Sequence, residues 1–293
     1  MAPWLEAELA LLEPTGFGLA ALGGLLFVGL SVGSFLNVVI HRLPIMLMRT
    51  WRREAAAELG AAGDDRPAER FNLAVPRSHC PACGESVKAA DNIPILSWIR
   101  LRGQCASCTA PISLRYPLVE LLGALAALAA VWVFGLTWIA LAAAVYLWVL
   151  IALACIDLES GLLPDQLTLP LLWCGLLANM PGAFTPLASA VVGAAAGYLL
   201  LWATYWGFKL VTGKEGMGYG DFKLYAAIGA WLGWQALPAV ALLAAVAGIL
   251  YALPPILLGR RDRNAPIRFG PFLAAAGSLA LIFRTESTWL LGI

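Results

Sequence analysis

Two aspartates lie at the edges of long apolar segments in this 293-residue chain: Asp157, and Asp221 at the end of the sequence Gly-Tyr-Gly-Asp. A carboxylate beside a lipid bilayer is costly and indicates a functional site. Two carboxyl groups that lie close together cannot both ionise easily, so they share a proton, and such a pair can cleave a peptide bond by acid–base catalysis. The two aspartates therefore predict a hydrolytic site, provided that the fold brings them together.

Most acidic residues in these segments also have a purely structural explanation. Asp165 follows Pro164 and precedes an apolar run, a pattern typical of a helix N-cap. Asp221 could cap a helix in the same way, although the alternating glycines before it would also let the backbone pass close to an extended substrate. Asp157 ends an apolar run, where the helix dipole disfavours a negative charge, so capping does not explain it. The residues alone leave the pairing of Asp157 with Asp221 open.

Four cysteines form two C-x₂-C pairs that are separated by 21 residues. They are Cys80, Cys83, Cys105 and Cys108. This spacing is typical of a zinc ribbon, in which four thiolates close a tetrahedral structural site with no open position for catalysis. The segment around them is poor in core-forming residues, so a bound metal would supply folding energy. Four reduced thiols or a redox pair are the alternatives.

The composition restricts the elements that can position these groups. Hydrophobic residues make up 61% of the chain and charged residues 13%, which excludes a water-soluble domain. A membrane-spanning helix needs about 20 residues, so the longest uncharged runs must each fold as a helical hairpin. The sequence therefore predicts an all-α polytopic membrane protein with about eight transmembrane helices, at residues 17–40, 118–134, 138–156, 166–182, 187–208, 222–236, 238–258 and 269–285.

The basic residues orient these helices. The segment 42–115 and the three loops that share its side of the membrane carry all of the 19 lysines and arginines except Arg284. Basic residues concentrate on the cytosolic side, so this side is predicted to be cytosolic. Asp157 would then close the third helix and Asp221 open the sixth, both at the cytosolic face and at the same depth.

We expect three parts along the chain. Residues 1–41 comprise a periplasmic N-terminus and the first helix, 42–116 a small zinc-ribbon-like cytosolic domain between helices 1 and 2, and 117–293 a core of helices 2–8. Residues 49–70 are expected to form a linker or an exposed short helix, which would contact membrane lipid if it is a basic amphipathic segment.

Several motifs in the same order resemble one known family. Gly218-Tyr219-Gly220-Asp221 is similar to the G-x-G-D signature of membrane aspartyl proteases, and nearly the whole chain resembles the bacterial type IV prepilin peptidases. The matching segments are Gly33–Val38 with His41–Pro44, the cysteine pairs with Asn92–Pro94 between them, Arg115–Glu120, Asp157–Asp165 and Gly218–Lys223.

The resemblance implies an aspartic endopeptidase of the bacterial inner membrane, with Asp157 and Asp221 as the catalytic pair and Asp165 in support. Its substrates would be type IV prepilins or pseudopilins of pilus and type II secretion systems, whose short basic leader is cut at the cytosolic face. The family also methylates the new amino terminus with S-adenosylmethionine. The sequence has no Rossmann-type glycine fingerprint for this cofactor; the cytosolic segment is expected to contribute, with Gly103 as a candidate.

Two other classes of protein compete with this interpretation. A proton-coupled membrane transporter would also use Asp157 and Asp221, but it predicts acids near the bilayer midplane and a repeat between halves. A zinc-dependent scaffold would keep the four cysteines and have no use for the aspartates. No nucleic-acid partner is expected, and the sequence leaves the oligomeric state open.

Overall fold

The structure, a computed structural model, describes residues 16–60, 70–214, 216–259 and 267–283. Within these ranges the chain is helical and has no strand, only two isolated β-bridges. The helices are α1 (Gly16–Glu58), α2 (Leu96–Arg100), α3 (Arg115–Phe134), α4 (Trp138–Ser160), α5 (Asp165–Ala178), α6 (Leu187–Thr212), α7 (Tyr219–Leu232), α8 (Leu237–Leu257) and α9 (Gly270–Ile282).

Apart from the short α2, these helices correspond one to one with the eight predicted spans, so the predicted fold class is confirmed. Among the described residues, five helices are long and apolar enough to cross a membrane, which fits a multi-pass membrane protein. The other three, α5, α7 and α9, have 14, 14 and 13 residues. Helix α7 is buried along nearly its whole length, because its neighbours surround it. Burial on all sides explains why most of its residues are apolar although the helix is short. The last two residues of the predicted eighth span, 284 and 285, lie outside the described residues.

Helix α1 is much longer than predicted. It continues beyond residue 40, through Pro44, and ends at Glu58, so the predicted boundary at residue 41 lies inside a helix. A proline in a helix interior costs about 3 kcal/mol, and packing compensates for this cost. The buried Arg42 guanidinium donates to the backbone carbonyls of Asn72 and Leu73 and lies over the ring of Phe71. Of the two expectations for residues 49–70, a linker or an exposed short helix, the helix describes residues 49–58, which are mostly exposed but continue α1 instead of forming a separate element. Residues 61–69 lie outside the described part of the chain.

The chain divides into two compact units, and the first comprises residues 1–37 and 77–135. Here the first half of α1 packs tightly against α3. A Cβ atom on Gly29 would lie 2.6 Å from the Cα atom of Ala124, and one on Gly33 would lie 2.6 Å from the Cα atom of Glu120. Such small-residue contacts let helix backbones approach closely in a membrane. The four cysteines lie in the segment between these two helices.

The second unit comprises residues 38–76 and 136–293 and contains α4 to α9. Helix α7 contacts α6 through glycines, and a Cβ atom on Gly193 would lie 2.3 Å from the carbonyl oxygen of Gly229. The buried Asn179, which follows α5, donates its amide to the carbonyls of Ala230 and Trp231 at 2.9 and 3.0 Å. These contacts hold the C-terminal end of α7 in place, while its first turn carries Asp221.

Candidate active site

Asp157 lies in the last turn of α4, and its side chain is buried, with the residue 5% exposed. Gly161 ends this helix in the left-handed conformation, at φ 71°. The backbone N–H of Gly270 donates to the Asp157 carboxyl, and the Arg268 guanidinium interacts with it electrostatically. Arg268 also donates to the carbonyl of Leu158. A positive charge and an N–H donor thus compensate for the unfavourable helix dipole at Asp157.

Asp221 lies in the first turn of α7 and is also buried, at 6% exposure. Its carboxyl accepts a hydrogen bond from the backbone N–H of Gly218, the N-cap residue, as the third residue does in a capping box. The other oxygen, Oδ1, is buried and has no hydrogen-bond partner among the described residues. The charge of Asp157 acts on Asp221, so the fold brings the two carboxyl groups within electrostatic reach of each other.

Leu163, in the loop between α4 and α5, packs against both neighbours of the acids. A Cβ atom on Gly220 would lie 2.6 Å from the Cβ atom of Leu163. A Cβ atom on Gly270 would lie 3.1 Å from Leu163 Cδ1 and 2.7 Å from Asp157 Oδ2. At Gly220, therefore, the close approach that glycine permits is to the chain itself, whereas the sequence had suggested an approach to substrate.

Asp165 is the first residue of α5 and does not act as its N-cap. Pro164 occupies the N-cap position, and no side-chain hydrogen bond caps this helix. Both carboxylate oxygens of Asp165 instead accept hydrogen bonds from the Lys223 ammonium, at 2.7 and 2.8 Å. The ion pair lines a cavity of about 280 Å³. Its other lining residues are Leu47 and Trp51 of α1, Leu162, Leu163, Pro164, Gln166 and Gly220.

Sequence reasoning missed three residues of this site: Lys223, Arg268 and Gly270. The sequence presented Arg268 only as one of the loop charges that orient the helices, Lys223 as a loop charge and the last residue of a matching segment, and Gly270 as one residue of an apolar span. Each is close in space to Asp157 or to Asp165 but far from it along the chain, so no local pattern identifies it. The segment Gly218–Lys223 includes Lys223, but its sequence does not indicate that Lys223 pairs with Asp165.

The four sequence-predicted cysteines come together, as expected. Their sulfur atoms lie within 4.8 Å of one another, all four are free thiols, and the Sγ atoms of Cys80 and Cys108 are 3.8 Å apart. Tetrahedral zinc with bonds of about 2.3 Å requires sulfur atoms about 3.8 Å apart. The cluster therefore has the donor set and the dimensions for a metal ion.

The two cysteine pairs fold as matching turns. The N–H of Cys80 donates to Glu85 at 2.9 Å, and the N–H of Cys105 donates to Ala110 at 2.8 Å. Hydrogen bonds from the backbone of Cys83, and then from that of Ala82, lower the pKa of the Cys80 thiol to about 6. Backbone N–H groups thus favour the thiolate form at Cys80, and the thiolate is the form that binds metals. At Cys83 the hydrogen bond with the Glu85 backbone lowers the pKa, but hydrogen bonds with the other thiols and burial outweigh it and raise the pKa to about 12.

Gly103 lies directly before the second cysteine turn and is required by packing. Its φ is 70°, and a Cβ atom would lie 2.8 Å from Trp98 Cζ2. The Trp98 indole N–H in turn donates to the carbonyl of Ile112 at 3.2 Å. The geometry therefore gives Gly103 a structural role, since any side chain at this position would displace Trp98.

Two family models and several named proteins match most of the chain. Residues 27–134 match the model of the bacterial peptidase A24 N-terminal domain, and residues 144–253 match that of the type IV leader peptidase family. A protein of Aeromonas hydrophila named prepilin leader peptidase/N-methyltransferase is 56% identical over 263 residues, which cover 89% of this chain and 91% of that protein.

Proteins of the same name from Burkholderia pseudomallei and Pseudomonas aeruginosa are similar to the chain over comparable lengths. The first is 52% identical over 280 residues, covering 95% of this chain and 90% of the relative. The second is 49% identical over 263 residues, covering 90% of each chain. No solved structure matches the chain.

Proposed function

The chain belongs to the family of prepilin leader peptidases/N-methyltransferases, and from this premise we infer that it has both activities. It cleaves the leader peptide from prepilins or pseudopilins and then methylates the amino terminus that cleavage exposes. The observation that carries the peptidase assignment is a buried pair of aspartates, Asp157 and Asp221, within electrostatic reach of each other. Both lie in terminal turns of their helices, whereas the transporter alternative requires acids near the midplane.

The two aspartates act as an acid–base pair on the scissile peptide bond. Asp157 has Arg268 and the Gly270 N–H beside it, so it is better placed to hold the negative charge and to take a proton from the attacking water. One oxygen of Asp221 accepts the hydrogen bond from Gly218, and the buried Oδ1 has no partner among the described residues. A negative charge on this carboxyl would be poorly compensated, so Asp221 is better placed to hold the shared proton. It donates this proton to the carbonyl oxygen as water attacks. When the tetrahedral intermediate collapses, Asp157 gives the proton that it took from water to the leaving amine, and a hydroxyl of the intermediate returns a proton to Asp221, so no Ser or Cys nucleophile is required.

Substitution of each acid tests the peptidase mechanism. We expect Asp157→Asn and Asp221→Asn each to abolish cleavage of a purified prepilin, because neither amide can exchange the shared proton. Removal of a catalytic residue of this kind typically costs a factor of about 10³ or more in rate. The measurement is the amount of leader released by detergent-solubilised enzyme, with circular dichroism as a check on folding.

Glu85→Gln is the matched control for these substitutions. Glu85 is an exposed acid next to the first cysteine pair, and its substitution should leave cleavage unchanged. Normal cleavage by either aspartate variant would contradict the mechanism, as would equal loss of activity in the control.

We propose that the four-cysteine cluster holds one structural Zn²⁺. When bound, this ion contributes folding energy to its segment and takes no part in catalysis, because four cysteine ligands leave no open position. The double substitution Cys80→Ser/Cys83→Ser should remove about one zinc ion per chain, measured by mass spectrometry of the purified protein. The same change at Cys155 and Cys174, which lie outside the cluster, should leave the zinc content unchanged. Zinc retained by the first variant would refute the site.

The second activity uses S-adenosylmethionine as the methyl donor, as the resemblance implies. The protein lies in the bacterial inner membrane with its acids and cysteines at the cytosolic face, and the positions of the basic residues support this orientation. A leader that precedes an apolar helix would reach the acids from that side. Prepilins and pseudopilins are the proposed partners, together with membrane lipid.

A further inference from the structure

The Asp165–Lys223 ion pair connects the two segments that carry the catalytic acids. Asp165 begins α5, directly after the loop that connects it to α4 and Asp157. Lys223 lies two residues beyond Asp221 in the first turns of α7. Residues two apart on a helix do not face each other, so Lys223 and Asp221 are directed differently. Lys223 reaches across to α5, where its ammonium binds both oxygens of Asp165.

The two ends of the α5–α7 contact are held in different ways. Towards the C-terminal ends, the Trp231 indole donates to Leu171 at 2.8 Å, and Asn179 donates to Ala230 and Trp231, all through buried groups. At the N-terminal ends, next to the acids, the polar connection between the described residues of the two helices is the Asp165–Lys223 ion pair. Its side chains are 49% exposed for Asp165 and 32% for Lys223.

We propose that Lys223 is a positioning residue, which sets the distance between the two catalytic carboxyls through its ion pair with Asp165. The ion pair holds the first turn of α7 against the start of α5. The short loop between α4 and α5 connects Asp165 to the helix that carries Asp157, so the ion pair also restricts the position of Asp157. The inference rests on the proposed function, since it assumes that Asp157 and Asp221 are the catalytic pair. A half-exposed ion pair contributes little to global stability, so its effect on catalysis is measurable separately.

The test compares kcat and KM for prepilin cleavage in variants of the intact, detergent-solubilised protein. Lys223→Met keeps most of the aliphatic stem and removes the charge, and we expect kcat to fall about 10- to 100-fold, because small misplacements of catalytic groups have effects of this size. KM should stay within about twofold of the wild-type value, because the substrate contacts remain. The melting temperature should fall by no more than about 3 °C.

Two further variants separate positioning from a general need for this lysine. Lys223→Arg should retain most of the activity, because a guanidinium also binds both oxygens of a carboxylate. The reversed pair, Asp165→Lys with Lys223→Asp, should recover most of the kcat that each single substitution loses, since it restores the attraction between α5 and α7. Lys88→Met is the matched control, an exposed lysine in the segment between the cysteine pairs, and it should behave as wild type.

Each alternative role gives a different result. A rise in KM at unchanged kcat in Lys223→Met would mean that Lys223 contacts the substrate, and the proposal would be wrong. The proposal would also be wrong if the kcat of the reversed pair were no higher than expected from multiplying the losses of the two single variants. If both Asp→Asn variants are inactive and Lys223→Met cleaves normally, the positioning role alone fails; if the Asp→Asn variants cleave, the proposed function itself fails.

Discussion

Asp221 combines a structural role with the chemical role that we propose for it. One carboxylate oxygen accepts the N–H of Gly218 and caps α7, while Oδ1 stays buried without a partner. An asparagine keeps an oxygen for the cap, so Asp221→Asn should preserve the start of α7. It loses the ability to exchange a proton with Asp157. The substitution therefore separates folding from catalysis at this residue, and the same change tests both explanations that the sequence left open.

Gly220 shows how a glycine beside an acid can be required by packing. We expect Gly220→Ala to reduce the free energy of unfolding by about 1–3 kcal/mol, because its Cβ atom would lie 2.6 Å from the Cβ atom of Leu163. Thermal unfolding of the purified protein measures this change. Gly207→Ala is the control, because a Cβ atom at that position would meet nothing within 4 Å and the residue is not a helix cap. Equal destabilisation by both changes would show that the contact with Leu163 is not the cause.

Helices α4 and α6 begin and end close to where the sequence predicted, because their apolar runs are bounded by glycine and proline turns. The end of α1 was missed, since the predicted span followed the uncharged run, which ends before His41 and Arg42, whereas the helix continues through Pro44. The stabilising contact of that region is between Arg42 and the segment around Phe71, and no local pattern reveals it. Periodicity and turn residues thus predict elements, whereas a helix that continues through a proline depends on tertiary contacts.

The contact between α6 and α7 makes a second prediction, at the scale of the element. Gly193→Ala should destabilise the protein by about 2 kcal/mol or more, because its Cβ atom would lie 2.3 Å from the carbonyl oxygen of Gly229 and would force the helices apart. Gly207→Ala is the control on the same helix, since a Cβ atom there would meet nothing within 4 Å. The melting temperature of this control should equal or exceed that of the wild type, because alanine is more favourable than glycine in a helix interior. A destabilised control would mean that α6 requires flexibility rather than close packing.

At the scale of the whole molecule, the sequence revealed the acids and the cysteines but not the groups around them. Asp157 and Asp221 stand out because carboxylates beside apolar runs are costly. Arg268 meets the end of α4, and Lys223 meets the start of α5, only after the second unit has folded. A basic residue in a loop has many other uses, so its type alone does not identify these contacts. Ligand spacing within a short segment was sufficient to predict the four-cysteine cluster, whereas the surroundings of the acids depend on contacts between distant helices.

The charge distribution makes a prediction for the orientation of the whole chain. Basic residues favour the cytosolic side, so Lys88 should face the cytosol and Leu136, in the turn between α3 and α4, the periplasm. Leu136 is 78% exposed, so a cysteine there is accessible to reagents. In spheroplasts, a membrane-impermeant maleimide should label Leu136→Cys above the wild-type background, while Lys88→Cys should react only after the membrane is permeabilised. The reverse pattern would place the acids on the periplasmic face, and leader cleavage from the cytosol would then be excluded.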